Sequence, residues 1–581
     1  MATFTGLNTM VRGIYVNQLS LNTVGHNIVN ADTEGYSRQA VNPVATPADY
    51  STKFALGTGV DVVSLTRARD TYADVQFRAE ISKQGYYEAM AKNYDKVEAI
   101  FNDSTDSGIE NAMKEFYKSW LNLSTSASDS ASRVAVVEKG KILSDTMKTA
   151  SQQLRDQIED KYDELAVYVR DINQILSDIA EMNGTIVAKE AAGLSANDLR
   201  DQRDVLADKL SEYVAVSVHE TSVGSYEIST GGVTLVAGVD RLHLAMSNGV
   251  ASSKYGVDYG VVDYEIKIEE SDIAFKPQTG ILKAQFDSID ECKEYIDNLS
   301  NMAAYMMTTL NDVHKQGYDL RGELKEATDQ YGDTVYNSDG TKTQIPNTVN
   351  FFGESNVEYI YNYDSSGRFN YVTIKEPTGI MRKDEKGEIV KLTGVQLLSA
   401  MQTNAVFEET GGYRYIAAAT AYDTSENFDS TMTLAEVGEH LIEWGDRTAD
   451  GTNAVYISEL FNMNLSSIIS EKRIPTMAVT KYLGTYDTQN AIGGVSFNSY
   501  YQSAMAQLGV DSNAMDTNIS QQDIIMNQIE NWRDSTNGVD WNEELGDMIK
   551  FQKGFGACSR CLSAMDECLE RLVNSTGAVG R

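Results

Sequence analysis

The sequence predicts a mainly α protein with β-rich insertions: terminal helices suited to coiled coils, a long helical-bundle rod, and an inserted, mainly β domain. Three observations predict it. Both ends carry seven-residue apolar repeats, helical periodicity fills 70–101 and 107–210, and two glycine-punctuated stretches between the ends alternate as strands do.

At the N-terminus, Leu7, Ile14, Leu21 and Ile28 fall seven apart, with Met10, Asn17 and Val24 on the intervening positions. Near the C-terminus, Met548, Phe555, Leu562 and Leu569 form one row and Phe551, Cys558, Met565 and Leu572 another. Such a repeat makes a narrow seam for a partner helix. Periodicity alone leaves open whether that partner lies in the same chain or another.

Between the ends, Ile158, Leu165, Ile172, Ile179 and Ile186 share a row with Tyr162, Val169 and Leu176 offset by four. A helix of about fifty residues spans about 75 Å, which makes a rod. Only six prolines interrupt 581 residues. Tyr213–Val218 and Tyr264–Ile268 alternate, with Gly231, Gly232 and Gly238 as turns, so a small β subdomain is expected near 213–282. Helix returns at 284–315. Val357–Tyr361 and Tyr371–Ile374 then mark strands, and helix resumes through 453–470 and 497–533, broken by the polar run Asp534–Gly538. The predicted domains are 1–69 (paired with 535–581), 70–349, a mainly β outer insert at 350–450, returning rod helices at 451–534, and the terminal helix at 535–581.

The net charge of −35 is unevenly spread. Residues 1–69 and 545–581 each sum to +1, so the middle is strongly acidic and the near-neutral ends suit burial against other copies. The acidity disfavours nucleic acid and anionic membrane surfaces as partners. No window approaches a membrane span, and the first residues lack a cleaved-signal pattern, so export would follow another route.

Chemistry is not evident. The five histidines are scattered, and no nucleophile elbow or phosphate loop occurs. Gly57-Thr58-Gly59 and Asn337-Ser338-Asp339-Gly340 read as turns. Cys558, Cys561 and Cys568 lack a completing ligand set, so free structural thiols are favoured over a metal or disulfide site, and Cys292 stands alone. No catalytic, cofactor or metal residues are assigned.

Asn27-Ile28-Val29-Asn30-Ala31-Asp32-Thr33-Glu34-Gly35-Tyr36-Ser37-Arg38-Gln39 closely resembles the N-terminal signature of bacterial flagellar axial proteins. The continuation Gly35-Tyr36-Ser37-Arg38 looks like that of the hook-associated protein 1 family. Gly57–Val62 with Arg67 and Asp70, Leu199–Asp204 with Leu210, Tyr213 and Val214, Leu310-Asn311 with His314–Leu320, and Glu543-Glu544-Leu545 with Phe551-Gln552 and Ala557 resemble further blocks of that family in order. The cysteines of the last helix and the extra 574–581 tail depart from it.

The resemblance implies a structural subunit of the flagellum, exported unfolded through the type III apparatus and located outside the cell at the hook–filament junction. It implies a homo-oligomeric ring between hook protein and the third hook-associated protein, with filament assembly and motility depending on it, and a cytoplasmic export chaperone at the C-terminal helix. It also implies terminal helices that order on assembly. The expected interface comprises the seam residues above together with Asn30, Thr33, Gly35, Tyr36 and Arg38. Gly35 permits a turn, and Asn27, Asn30 and Thr33 can satisfy backbone groups where the first helix stops. Arg38 is a candidate partner for a neighbour's carboxylate; a purely helix-terminating role for the loop stands beside this. Another axial protein, or an adhesin carried on the 350–450 insert, are the rival readings.

Overall fold

The computed structural model describes residues 2–48, 57–101, 108–254, 257–328, 333–363, 369–423, 432–445, 447–463, 492 and 494–575. The predicted helix over 464–470 and the tail 576–581 lie outside these. The first helix, α1 (Ala2–Val29), leads through a loop into the antiparallel hairpin β1 (Gln39–Ala45) and β2 (Val60–Arg67). The rod follows: α2 (Thr71–Phe101), α3 (Ile109–Thr125), α4 (Ser130–Ala191), α5 (Asn197–Tyr213) and α6 (Ile281–Tyr305).

Helix α4 runs 62 residues, about 93 Å at 1.5 Å per residue. It starts where Asp129 caps it, the carboxylate accepting from the Ser132 N–H at 2.9 Å. Its apolar row is the predicted one: Ile158, Leu165, Ile172, Ile179 and Ile186 are all fully buried. The predicted helical stretch 107–210 is thus three helices, broken at Ser126–Asp129 and again before Asn197.

Strands between Ser217 and Ala274 form the small β subdomain, including a four-stranded antiparallel meander over Ser217–Arg241. Helix α6 continues into a π-helical turn, Met306–Leu310, and then α7 (Asn311–Lys315). The π turn, wholly buried, was not foreseen from the sequence.

The strand-rich segment begins at Gly317 rather than at 350. It carries the short helix α8 (Gly394–Ala400) among its strands, and α9 (Leu434–Glu439) and α10 (Thr452–Glu459) follow its last strand, Ala419–Thr420. Much of it is not set apart from the rod. Phe351, Phe352, Val372, Leu398, Met401 and Ile416 belong to the same continuous core as α3, α4 and α6. Phe351 lies with ring centroids 5.3 Å from Trp120 of α3 and 5.6 Å from Phe116. A separate small core forms around Tyr318, Ala421, Tyr422 and Val437.

Helix α11 (Phe497–Asn537), capped by Ser496, returns along α2. Phe101 meets Tyr501 at one end, and Tyr72 meets Trp532 at the other, so the two run antiparallel. The helix carries through the polar run expected to break it and stops at Gly538. The last helix, α12 (Trp541–Ser575), packs principally on α1.

Candidate functional site: the paired ends and their anchorage

Helices α1 and α12 pair within one chain, which answers the question periodicity left open. They run antiparallel: Gly6 faces Met565, Gly13 faces Cys558, Asn17 faces Gly554, and Asn27 reaches Glu544. A Cβ on Gly13 would sit 3.0 Å from the Cys558 Sγ, and one on Gly554 would overlap the Asn17 side chain. Small side chains therefore set the interhelical distance.

Gly6, Gly13 and Asn27 meet α12, each one residue before a member of the predicted Leu7, Ile14, Leu21, Ile28 row, and Ser20 is buried at the same spacing. Gly13, Ser20 and Asn27 are buried, as are Val16 and Val24, whereas Leu7, Met10, Ile14, Leu21 and Ile28 are only half-buried. On α12, Met548, Phe551, Phe555, Cys558, Leu562, Met565 and Leu569 are half-buried and Leu572 is exposed. The seven-residue spacing of Gly6, Gly13, Ser20 and Asn27 is visible in the sequence. A search for apolar residues passes over it, because close packing needs small side chains rather than hydrophobic ones. Both helices leave large apolar side chains outside: Val11, Tyr15 and Val29 on α1, and Leu545, Ile549 and Val573 on α12.

The signature loop is built around Asn27. Its Oδ1 accepts from the Gln39 N–H at 3.0 Å and the Tyr36 hydroxyl at 2.8 Å. Its Nδ2 donates to the Gln39 carbonyl at 2.9 Å and the Glu544 carboxylate at 3.1 Å. Asn30 Nδ2 closes the end of α1 by donating to the His26 carbonyl, and Thr33 donates to Asn30. Gly35 sits at φ +75°, and a Cβ there would overlap Val205 of α5, so glycine answers both a conformational and a spatial demand. Burial, with the carboxylates of Asp198, Asp201 and Glu544 nearby, raises the Tyr36 phenol far above its ordinary value, so it stays a neutral donor.

Arg38, read from the sequence as available to a neighbour's carboxylate, is engaged by its own chain. Its Nε donates to Glu544 at 2.6 Å and its second guanidinium nitrogen lies 3.1 Å from Glu543. Its backbone N–H donates to the Asn537 carbonyl at 2.9 Å. The reason is geometric: the short connection Gly538–Asp540 brings the start of α12 beside the loop.

Next to this clasp lies a hub of ion pairs that sequence reasoning missed. Asp201, Asp204 and Asp208 of α5 and Asp74 of α2 face Arg67, Arg69, Arg78 and Arg533. Asp204, 2% exposed, lies 2.8 Å from Arg67, 3.3 Å from Arg69 and 3.4 Å from Arg78, and accepts from the Tyr226 hydroxyl. The three guanidinium groups hold its carboxyl below the usual range despite burial. Asp201 takes Arg67 at 2.7 Å and the Ser37 N–H at 3.1 Å, which ties the signature loop to the rod. Arg533 closes the hub from α11, on Asp74 at 3.0 Å and Asp208 at 2.8 Å. Of the family-like block Leu199–Asp204, Arg203 is fully buried over the Tyr226 ring and donates to Asn183 and the Gly224 carbonyl.

Farther along, the Asn311 side chain donates to the Phe352 carbonyl and accepts from the N–H groups of Phe351 and Phe352. His314 donates from Nδ1 to the Val349 carbonyl and accepts at Nε2 from the Ala417 N–H, both at 2.9 Å. These residues, quoted above for their resemblance, pin the strand-rich segment to the rod. Cys292 is buried, Cys558 half-buried, and Cys561 and Cys568 exposed, all as free thiols. Among the described residues, no group of three His, Cys, Asp or Glu is placed to hold a metal, and no helix is long and apolar enough to cross a membrane.

Paired terminal helices with a partly exposed apolar face are thus tied by buried ion pairs to a long helical rod. Residues 94–328 match the family model described as the flagellar hook-associated protein FlgK helical domain. The chain is 25% identical to flagellar hook-associated protein 1 of Bacillus subtilis strain 168 over 594 residues, covering 100% of both chains. It is 24% identical to that of Escherichia coli K12 over 580 residues, covering 98% of this chain and 99% of the other. The fold resembles that reported as the structure of the flagellar hook junction protein FlgK from Burkholderia pseudomallei, with a TM-score of 0.51 and 16% identity over 79% of this chain and 100% of that one. The chain is thus similar over its whole length to flagellar hook-associated protein 1, and over residues 94–328 to that protein's helical domain.

Proposed function

We infer that this chain is a structural subunit of the bacterial flagellum at the junction between hook and filament, associated with components of both. The observation that carries the reading is the apolar face left outside the α1–α12 pair. Tyr15 and Ile549 are each 59% exposed, on near-neutral helices of an otherwise acidic chain. A soluble monomer gains nothing from that face; a polymer buries it.

In the finer reading, residues 1–69 with 535–581 form the inner layer of a homo-oligomeric ring, and the half-buried Leu7, Met10, Ile14, Leu21 and Ile28 with Phe551, Phe555, Leu562, Met565 and Leu569 meet neighbouring copies. Hook protein lies on one side and the third hook-associated protein on the other. The family's structural role supports a subunit without catalysis, placed outside the cell after type III export without a cleaved signal. An export chaperone would shield the exposed apolar face of α12.

The test is imaging of cells lacking this chain, which should bear hooks without filaments. A Tyr15→Lys/Ile549→Lys double variant, with both positions already solvated, should fold yet fail to restore filaments. Filaments in the deletion strain, or full rescue by the double variant, would overturn the reading.

A further inference from the structure

Three Asn-Gly dipeptides occur in the chain, at Asn183-Gly184, Asn248-Gly249 and Asn537-Gly538. The pair is chemically special, because glycine leaves the following main-chain nitrogen unshielded and free to fold back onto the asparagine side-chain carbon. The fold disarms two of the three. Asn183 is fully buried inside α4, its Oδ1 accepting from the Tyr226 N–H at 2.9 Å and from Arg203 at 2.8 Å, its Nδ2 donating to the Gly238 carbonyl at 2.8 Å. Asn537 is buried at the end of α11, and the Gly538 N–H donates to the Asp534 carbonyl at 2.8 Å. Asn248 and Gly249, by contrast, are exposed and lie outside helix and strand. Among the described residues, neither the Asn248 side chain nor the Gly249 N–H makes a hydrogen bond.

We propose that Asn248-Gly249 is a site of self-modification, at which the asparagine loses its amide and an isoaspartyl linkage enters the main chain. After giving its proton to hydroxide, the Gly249 nitrogen attacks the Asn248 Cγ. The N–Cγ bond forms, the Cγ–Nδ2 bond breaks, and ammonia leaves, closing a five-membered succinimide. Water then adds to one of the two ring carbonyls. Opening at the side-chain carbonyl gives an ordinary aspartate. Opening at the main-chain carbonyl leaves the chain running through Cβ and Cγ, longer by one carbon. The sum is an amide plus water going to an acid plus ammonia, with no oxidation or reduction.

The place of the dipeptide gives the reaction a structural consequence. The strand Leu244–Met246 pairs with Ile266–Ile268, while Val250–Lys254 pairs with Val257–Asp263, so residues 247–249 cross from one small sheet to the next. Ser247 fixes the near side, its N–H donating to the Glu265 carbonyl at 2.7 Å and its hydroxyl accepting from the Glu265 N–H at 2.9 Å. The far hairpin is held to the rod by Arg155, which donates to the Gly260 carbonyl at 2.7 Å, and by Lys293, which meets Asp263 at 2.7 Å. With both sides held, an added main-chain carbon is taken up at the nearest pair of the hairpin, Val250 with Asp263.

The test incubates purified full-length protein in heavy-oxygen water at mildly alkaline pH and maps it by peptide mass spectrometry. Asn248 should exchange its amide for a labelled acid about a hundredfold or more faster than Asn183, whose reaction waits on opening of the rod core. In the denatured chain all three asparagines should convert at similar rates. Isoaspartyl methyltransferase with a labelled methyl donor should mark aged wild type but not aged Asn248→Gln. Hydrogen exchange at Val250 and Ala251 should rise in the aged protein and not in Asn248→Asp, which carries the charge without the extra carbon. Gly249 is left unchanged, because a Cβ there would overlap Val262 and Tyr264. The proposal is overturned if native Asn248 keeps its amide while the denatured chain loses it, or if Asn183 or Asn537 converts as fast in the native protein. Unchanged exchange at Val250 and Ala251 after conversion would overturn the structural consequence. These readouts use the isolated chain and stand or fall apart from the flagellar reading.

Discussion

Asp204→Ala is the most informative single change in the rod. The carboxylate lies within 3.4 Å of three guanidinium groups and beneath the Tyr226 hydroxyl, in a hub whose four arginines and four aspartates balance. Removing it leaves one uncompensated positive charge where Arg67, Arg69 and Arg78 are at most 11% exposed. Breaking a buried pair by deleting one partner costs about 3–5 kcal/mol. Each arginine keeps a second carboxylate, Asp201, Asp74 and Asp208 in turn, so the low end, about 3 kcal/mol, is expected. Native-state hydrogen exchange should read this in α5 and the hairpin β1–β2 as an increase of about a hundredfold or more in opening. An Asp204→Ala/Arg67→Met double variant restores neutrality and should lose less than the sum of the singles. A cost below about 1 kcal/mol for Asp204→Ala, the level of a surface pair, would refute the hub as a structural lock.

Gly35→Ala should destabilise the loop by more than about 1 kcal/mol, since the φ of +75° and the overlap with Val205 act together; unchanged melting and loop proteolysis would contradict this. His314 gives a pH signature. Burial pushes its pKa down to about 4, so the unfolded chain binds its proton first, and stability present above about pH 6.5 is lost as pH falls toward 4. The shift corresponds to about 3 kcal/mol across that window. Asp312, pushed up to about 6 by desolvation, runs the opposite way. The quantity to measure is therefore the difference between the pH–stability curves of wild type and His314→Gln, and a flat difference would show that His314 is not the titrating group.

The sequence made some features legible and hid others for physical reasons. The heptads at both ends and the isoleucine row of α4 were readable because helix periodicity is local. The Asn27–Gln39 loop stood out by its resemblance to the flagellar axial signature, and within it glycine and asparagine then reported backbone needs. The hub was not, since Arg67 and Arg533 find partners at Asp201 and Asp74, far along the chain, and 84 acidic residues offer no period by which to choose among them. Phe351 and Phe352 were assigned to an outer insert by neighbouring strand composition. Their place in the rod core depends on contacts with Phe116 and Trp120 that no local window contains. The seam row was missed because glycine and serine carry no hydropathy signal.

The hub also imposes an order in time. Its first residues emerge early in synthesis, but Arg533 follows Asp74 by more than 450 residues, and Glu544 follows Arg38 by 506. Until then Asp74 and Asp208 each lack one of their cations, and α2 lacks the helix that covers it. A nascent chain therefore leaves the hub and the clasp open until these distant partners have been made, and closes both in a late step. A protein built this way is slow to commit to its final form, since contacts so distant in sequence are the last that a folding chain can make.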